Sequence, residues 1–213
     1  MNRHWPLHGL RITTETLEMR IPNDELLEEL VDVARQGIHD PQSMPFLVPW
    51  TDTPEEQFPE QFLQFHWTLR ANMKPTGWVL NFAVLRNGIA VGAQGIEASD
   101  FATLRTFTTG SWLGQAHQRQ GIGLEMRRAM LTFAFDHLGA EVAHSSALDG
   151  NLASSGVSRR IGYESNGWDL VAPRGVPVRQ QRFILTRQRW EELGARLPIT
   201  VEGLEPCRAL LGA

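Results

Sequence analysis

The chain has 213 residues, of which 42% are hydrophobic, and this length and composition are typical of one globular domain. Its net charge of −4 argues against broad binding to nucleic acids or anionic membranes, and its single cysteine, Cys207, excludes an internal disulfide and disfavours a cysteine metal site. No apolar run approaches the ~20 residues of a membrane-spanning helix, and no signal-peptide pattern opens the chain, so we expect a cytoplasmic protein.

The first third of the chain predicts a strand and two helices. Residues 14–20 alternate in the manner of a strand. A helix is expected from its capping residue Asn23 to Gly37, because apolar positions recur on one helical face between them. The segment from Thr53 to Glu56 has the form of a capping box with proline at the first helical position. It predicts a second helix that runs to about residue 73 and is interrupted or restarted at Pro59.

The middle of the chain predicts a hairpin and a strand–turn–helix unit. Asn87-Gly88 lies between the apolar runs 78–85 and 89–96, and this dipeptide is the strongest short hairpin signal. A third strand, 106–113, leads into a glycine-rich turn. The helix after that turn is amphipathic and is expected to bury the following side chains: Ile122, Met126, Ala129, Met130, Phe133 and Ala134.

The last third predicts a strand at 142–148, a helix at 152–161 that stops at Gly162, and strands at 181–186 and 199–201. A hairpin at the start and one strand–helix–strand crossover in the second half favour an α/β (α+β) fold. We expect a mixed, mostly antiparallel sheet with helices on both faces. No repeat or linker interrupts the sequence, so we expect residues 1–213 to form a single domain.

The glycine turn is a candidate anion site. It reads Gln-Arg-Gln-Gly-Ile-Gly over residues 118–123, and a turn of this kind before a helix aims backbone N–H groups and the positive end of the helix dipole at one point. Gly121 and Gly123 would let a phosphate come close, although an ordinary strand-to-helix turn is the alternative. A dinucleotide-binding turn is set aside because Met126 stands where a third glycine is needed, and a P-loop because no lysine is near.

Several segments together resemble a known family. The pattern Gln-x-x-Gly-x-Gly before a helix resembles the coenzyme-A pyrophosphate loop of the GNAT family of N-acetyltransferases. The strand 110–113, Glu125 and the segment from Asn151 to Tyr163 look like the RimJ/RimL-type branch of that family, and the similarity spans roughly residues 10–190. Within the branch, segments 4–7 and 39–50 and the C-terminal tail look closest to actinobacterial members described as acetyl- or succinyltransferases.

The resemblance implies a GNAT fold whose sheet is splayed in the middle, and direct attack of an amine on an acyl-CoA thioester in a ternary complex. The implied donor is acetyl-CoA or succinyl-CoA, and no metal is implied. The acceptor stays open between a protein amino group and a small molecule, and a homo-oligomer is compatible with the family. The residues implied to contact the cofactor are Trp112, Leu113, Gln118, Arg119, Gln120, Gly121, Ile122, Gly123, Leu124, Asn151 and Ser154.

The catalytic residues are less well defined. The family usually places a tyrosine acid seven residues after the capping asparagine, and here that position is Ser158. Ser158 or Ser154 could assist the leaving thiolate, although either serine could instead be an ordinary helix residue. Tyr163 falls where the family packs an aromatic side chain. The candidates for the general base are Glu97, Glu125 and His144, and a chain of water molecules would make a dedicated base unnecessary.

Two further groups of residues carry the remaining expectations. The acceptor site would be built near His39, Trp50, His66 and Trp67, for which core packing is the alternative. The carboxylate of a succinyl donor would need a cation, and Arg105, Arg179 and Arg182 are candidates. The missing tyrosine also leaves open a module that binds or senses acyl-CoA without efficient transfer. A domain whose glycine turn binds nothing is the third possibility.

Overall fold

The computed structural model describes residues 4–213, which form one nine-stranded sheet with the strand order β7-β8-β6-β5-β4-β3-β2-β1-β9. The strands are β1 (Arg11–Thr13), β2 (Leu17–Arg20), β3 (Gly77–Arg86), β4 (Ile89–Ser99), β5 (Thr106–Leu113), β6 (Val142–Leu148), β7 (Glu164–Val171), β8 (Val178–Thr186) and β9 (Thr200–Glu202). Every neighbouring pair is antiparallel except β5 and β6. The mixed, mostly antiparallel sheet is therefore confirmed.

Helices cover both faces of the sheet. They are α1 (Asp24–Arg35), α2 (Phe58–Ala71), α3 (Phe101–Leu104), α4 (Ile122–Thr132), α5 (Leu152–Ile161), α6 (Arg187–Leu193) and α7 (Arg208–Leu211). Strand β3 shows the two faces, because successive side chains of a strand point to opposite sides. Phe82 and Val84 belong to the core that includes α4, whereas Ala83 and Leu85 belong to the core that includes α1 and α2.

The hairpin of β3 and β4 turns at Asn87-Gly88, as the sequence predicts. Both residues have positive φ, 52° and 77°, which is the geometry of a type I′ turn. The turn sets a register in which Arg86 is opposite Ile89. This long hairpin forms the middle of the sheet, and β5 pairs with its second strand, β4.

The sheet is splayed between β5 and β6. Their parallel pairing runs only from Thr106 with Val142 to Thr108 with His144. Beyond that point β5 continues beside β4 as far as Leu113 with Gly92, whereas β6 continues beside β8 as far as Leu148. The facing edges of β5 and β6 are thus free of each other over their last residues. The splay expected from the family resemblance is confirmed.

Several expected elements need correction. Residues 14–20 do not form one strand, because a turn at 14–16 separates β1 from β2. Helix α2 begins at Phe58 rather than at Thr53, and its first turn instead accommodates Pro59, whose missing N–H costs nothing at that position. Strand β8 begins earlier than expected, at Val178, and pairs with β7, which the sequence analysis did not predict.

Helix α4 ends in a wider, π-helical turn over Phe133–His137, where the sequence analysis expected the α-helix to continue. Phe133 and Ala134 are buried as expected. Three arginines from distant parts of the chain donate hydrogen bonds to carbonyl groups at this end: Arg187 to Phe135, Arg208 to His137 (3.0 Å) and Arg105 to Leu138 (3.3 Å). The carboxyl end of α4 is therefore fixed by the residue between α3 and β5, by α6 and by α7.

Candidate functional site

The glycine turn opens α4 without a side-chain cap. Gly121 is the N-cap residue, with φ of 84°, and Arg119 before it also has positive φ, 60°. Within the described residues, no hydrogen bond takes up the backbone amides of residues 119–123. A side chain built on Gly121 would meet nothing within 4 Å, so the turn faces open space. Five free amides at the positive end of a helix are the geometry that binds phosphate.

The two glutamines of the turn hold it in place. The Gln118 side-chain amide donates to the carbonyls of Leu113 (2.9 Å) and Ile38 (2.6 Å), and Gln120 donates to Ala116 (2.8 Å). The backbone amides of Gln118 and Leu124 are already bonded, to Gln115 and Gly121. The donors left for a ligand are therefore those of Arg119, Gln120, Gly121, Ile122 and Gly123.

The end of β5 connects the splay to this turn. Leu113 is the last residue of the strand, and the Trp112 carbonyl lies so close to Gly92 that a Cβ there would approach it to 2.2 Å. Gly92 therefore lets β4 and β5 stay paired where β5 has already parted from β6. The Trp112 side chain points to the face of α1 and α2, where its ring centroid lies 5.7 Å from that of Trp50.

The start of α5 lies beside the splay and carries the other expected cofactor residues. Asn151 caps the helix, as predicted, by accepting from the Ser154 amide at 3.0 Å, and its Nδ2 contacts the Pro45 carbonyl at 3.4 Å. Ser154 is partly exposed, whereas Ser158 is fully buried and its hydroxyl has no partner in the described part of the chain. Tyr163 is buried, and burial raises the pKa of its phenol, so the hydroxyl stays protonated at neutral pH.

Two of the three base candidates lie where the strands part. Glu97 is opposite Thr108 in the β4–β5 register, and Thr108 is opposite His144 across the last β5–β6 pair. Residues in register share one face of a sheet, so Glu97 and His144 lie on the same side, roughly 10 Å apart over two strand spacings. Burial lowers the pKa of His144, so its imidazole is neutral at pH 7 and can accept a proton.

The third base candidate, Glu125, is engaged in hydrogen bonds within the protein. Glu125 lies in the first turn of α4, and its carboxylate accepts hydrogen bonds from the hydroxyls of Thr14 (2.5 Å) and Thr16 (2.8 Å) in the turn between β1 and β2. Arg128, which could have paired with it, instead donates to the carbonyl of Ala195 at 2.9 Å. This geometry ties the turn between β1 and β2 to the start of α4.

The connection between α1 and α2 forms an aromatic wall beside Trp112. The Trp50 ring contacts the rings of Phe46, Phe58 and Phe62 at centroid distances of 5.3 to 6.0 Å. His39 is held by its ring contacts to Thr51 Oγ1 (2.7 Å) and to the Asp40 carbonyl (2.9 Å). These residues line the face of the sheet that carries Glu97 and His144.

Of the other two residues expected at an acceptor site, His66 is packed in the interior and Trp67 lies on the surface. His66 is buried on α2, and burial lowers its pKa to about 4 with a smaller contribution from Arg70, so the ring is neutral. Trp67 is 44% exposed and donates to Asp24 of α1, so it is not a core residue.

An ion pair joins the connection between α1 and α2 to the β7–β8 hairpin. Arg174, in the turn of that hairpin, donates two hydrogen bonds of 2.6 Å to the Asp52 carboxylate and a third to the Pro41 carbonyl (3.2 Å). These bonds lower the pKa of Asp52. The paired side chains therefore connect the two segments that flank the splay.

The three arginines proposed for a succinyl carboxylate are engaged elsewhere. Arg105 donates to the Leu138 carbonyl, Arg179 stacks on Trp168 at 4.5 Å, and Arg182 lies 3.4 Å from the Asp169 carboxylate. The cation that lies at the splay is Arg127 of α4, which the sequence analysis did not select. Leu131 lies one turn further along the same helix face and is fully buried. An apolar residue four positions after Arg127 was the sequence signal that this face of the helix is buried.

The described residues offer no metal site and no membrane span. Among residues 4–213, no three histidine, cysteine, aspartate or glutamate side chains are grouped so that they could hold a metal ion. None of the helices formed by these residues combines the length and the apolar character needed to cross a bilayer.

Comparison with known proteins identifies the family. A model of the acetyltransferase (GNAT) domain matches residues 17–164. A Vibrio cholerae structure described as a ribosomal-protein-serine acetyltransferase is 24% identical and has a TM-score of 0.65, with 83% of this chain and 97% of that chain covered. A GCN5-related N-acetyltransferase from Brucella melitensis is 17% identical, with a TM-score of 0.69 and coverage of 86% and 81%.

RimL, described as a ribosomal L7/L12 alpha-N-protein acetyltransferase, is 16% identical and has a TM-score of 0.61, with coverage of 81% and 91%. At these identities the solved structures establish the shared fold. The domain match covers more than half of the chain and takes in both the splay and the glycine turn. This chain therefore belongs to the GNAT family of acetyltransferases, whose acyl donor is acetyl-CoA.

Proposed function

We propose that the protein is an N-acetyltransferase that binds acetyl-CoA between the glycine turn and the splay, and passes the acetyl group directly to an amine. The observation that carries this proposal is the continuity of the two features. Strand β5 has a free edge beyond Thr108 and runs through Leu113 into the turn with five free amides. A pyrophosphate at the turn would place the pantetheine arm along this edge and the thioester in the splay.

The reaction on this site would be a single displacement. The amine nitrogen attacks the thioester carbonyl carbon, the C–S bond breaks, and coenzyme A leaves as a thiolate. A protein α-amino group has a pKa of about 7.7 to 8.0 and a lysine amine one of about 10.4, so either is mostly protonated at pH 7 and must lose a proton before it attacks. Glu97 and His144 lie at the last paired residues on the face of the aromatic wall, and either could take this proton directly or through water.

A covalent enzyme intermediate is not part of the proposal. Cys207 is fully buried, its thiol donates to the Gly203 carbonyl at 3.2 Å, and burial raises its pKa to about 11. Such a thiol carries almost no thiolate at neutral pH, and the thiolate is the nucleophilic form. The arrangement supports attack in a ternary complex.

The acceptor is proposed as a protein α-amino group, with small amines as the other class to test. The neighbouring RimL structure is named for α-amino acetylation of a ribosomal protein, and this chain shares its fold. The aromatic wall around Trp50 and the Asp52–Arg174 pair flank the side from which such an acceptor would enter.

The test is a calorimetric titration with CoA, acetyl-CoA and succinyl-CoA of the wild type and the Gly121→Glu variant. The added carboxylate should repel the pyrophosphate, and we expect affinity to fall at least about 100-fold. Gly139→Glu is the matched control, because Gly139 also has positive φ (75°) and open space beside it but lies at the other end of the α4 segment. Equal losses in both variants would contradict a cofactor site at the turn, and absence of wild-type binding would overturn the proposal.

A second candidate function is an acyl-CoA-binding or sensing module. Ser158 occupies the position of the family's tyrosine acid, and the only tyrosine in the chain, Tyr163, is buried. Tight CoA binding without turnover on a panel of protein amino termini, lysine peptides and small amines would favour this function. In the same panel, faster turnover with succinyl-CoA than with acetyl-CoA would assign the donor to the succinyl group.

A further inference from the structure

Arg127 bridges the two strands that form the splay. It lies on α4, is only 3% exposed, and donates to the Ser145 hydroxyl on β6 (3.0 Å) and to the Ser111 hydroxyl on β5 (3.3 Å). Ser145 is the first residue of β6 beyond the last β5–β6 pair, and Ser111 is the third residue of β5 beyond it. The guanidinium therefore sits beneath the point where the strands separate.

This buried cation has no anionic partner in the described part of the chain. Its two hydrogen bonds go to neutral hydroxyls, and its Nε–H has no acceptor. Burial lowers the pKa of Arg127, and Tyr163 is the group that acts in the other direction. An arginine keeps its charge even so. Because an unpaired buried charge destabilises a fold, Arg127 is better explained by function than by stability.

Other polar groups around it are also unsatisfied. The hydroxyls of Thr109 and Tyr163 are buried and lack hydrogen-bond partners among the described residues, although Tyr163 lies close enough to both Thr109 and Arg127 to interact with them. Ser158 is a third such hydroxyl, on the buried side of α5, which packs against α4. A buried cation that contacts the hydroxyls of Ser111, Ser145 and Tyr163 is suited to an anion that arrives with the ligand or forms during the reaction.

The remaining charged groups nearby are already engaged or lie on other surfaces. Glu125 is held by Thr14 and Thr16, and Arg128 donates to the Ala195 carbonyl. Asp136, in the π-helical turn, pairs with Arg196 at 2.9 Å. Glu97 and His144 lie on the opposite face of the sheet. Arg127 is thus the charge that faces the splay from the side of α4.

We propose that Arg127 stabilises the thiolate of the departing coenzyme A through the hydroxyls of Ser111 and Ser145. A hydroxyl that accepts a hydrogen bond from a guanidinium can direct its own proton to another acceptor, here the sulfur in the splay. When the C–S bond breaks, its electron pair stays on sulfur and no proton is needed at that step. The positive charge then replaces the proton that a tyrosine supplies elsewhere in the family. Arg127 is a positioning residue, and its role rests on the proposed function.

The test measures the thiol pKa of bound CoA from the ultraviolet absorbance of the thiolate as a function of pH. In the wild type we expect this pKa to lie at least about one unit below the value of roughly 8.5 for a free thiol. Arg127→Met, which keeps an unbranched side chain but removes the guanidinium and its charge, should return it towards the free value and lower kcat more than it raises KM. Arg127→Lys should restore part of the shift, and Arg128→Met is the matched control that should retain all of it.

The outcomes separate this inference from the proposed function. If wild-type protein does not bind CoA, the proposed function fails. If CoA binds and its thiol pKa is the same in the wild type and Arg127→Met, the inference fails while the binding site stands. A selective loss of succinyl-CoA binding with an unchanged thiol pKa would also overturn it, because Arg127 would then bind an acyl carboxylate. Should Arg127→Met not fold, Ser111→Ala removes one relaying hydroxyl with the charge in place, and an unchanged thiol pKa there would contradict the relay.

Discussion

Helices α1 and α4 are nearly equal in length, with 12 and 11 residues, and cover opposite faces of the sheet, but they differ in their N-terminal caps and in the side chains that they bury. Asn23 caps α1 by accepting from the Leu26 amide at 3.1 Å, and the side chains that α1 buries are all apolar. Helix α4 starts at an uncapped glycine and buries Arg127. In α4 the missing cap and the buried charge both lie at the candidate site, as expected where function and stability compete.

The same contrast holds for the buried ionisable groups of the two layers. His66, in the layer of α1 and α2, adapts to burial by losing its proton, because its pKa falls to about 4. Arg127, in the layer of α4, keeps its charge. A group that can become neutral is compatible with a stable core, whereas a permanent buried charge without an anionic partner lowers the stability of the fold.

The largest expected effect is the loss of unfolding free energy when His66 is protonated at low pH. The folded-state pKa is about 4 and the unfolded value is 6.5, so between these pH values the unfolded chain binds more protons and stability falls as pH falls. The full loss below pH 4 is about 3 kcal/mol. Urea unfolding of the wild type and His66→Leu at pH 7 and 4.5 measures it. If the variant loses as much stability as the wild type, His66 is not the cause.

A smaller effect is expected when the two capping asparagines are replaced. Asn23→Ala and Asn151→Ala should each lower the unfolding free energy by about 1 kcal/mol, because each leaves a helix amide without its acceptor. Only Asn151→Ala should also weaken CoA binding, since Asn151 lies beside the splay. Chemical unfolding and calorimetry of both variants check this. An equal loss of CoA affinity in Asn23→Ala would contradict a specific role of Asn151 in CoA binding.

The smallest effect concerns the ion pair that connects the α1–α2 connection to the β7–β8 hairpin. Arg174→Ala removes an exposed pair, so the thermal unfolding midpoint should hardly change. We expect the KM for the acceptor to rise about three- to tenfold with CoA affinity unchanged, because the pair orders the proposed acceptor side rather than the glycine turn. Arg35→Ala, which breaks the exposed pair with Glu55, is the control. A larger KM change in the control would place the acceptor elsewhere.

Local chemistry made much of the fold predictable from the sequence. Asn87-Gly88 specifies a hairpin through positive φ, Asn23 and Asn151 specify helix starts through their side-chain oxygens, and Gly162 specifies a helix end. Strand β7 was missed because it is an edge strand with mostly exposed side chains, and such a strand has no apolar alternation. The start of α2 was misplaced because a capping-box sequence at Thr53 does not form the motif unless the backbone enters the helix there.

The candidate site was predictable only in part. The glycine turn and the capping Asn151 have local signals, and the free amides of residues 119–123 are what the turn pattern indicates. The end of β5–β6 pairing at Thr108 and His144 depends on the registers of three strands, which the sequence does not display. Arg127 was missed because an arginine beside Arg128 in a helix is typical of a solvated surface, and its burial is set by tertiary packing.

The arginine contacts at the far end of α4 have a consequence for sequence variation in this protein. The 11 residues of α4 and the five of the π-helical turn span roughly 24 Å, so the carboxyl end and the glycine turn belong to one rigid rod. Arg105, Arg187 and Arg208 anchor that rod from three separate segments. A small tilt at the anchored end becomes a displacement of the amides at the other end. Substitutions at these arginines can therefore alter the glycine turn without touching it.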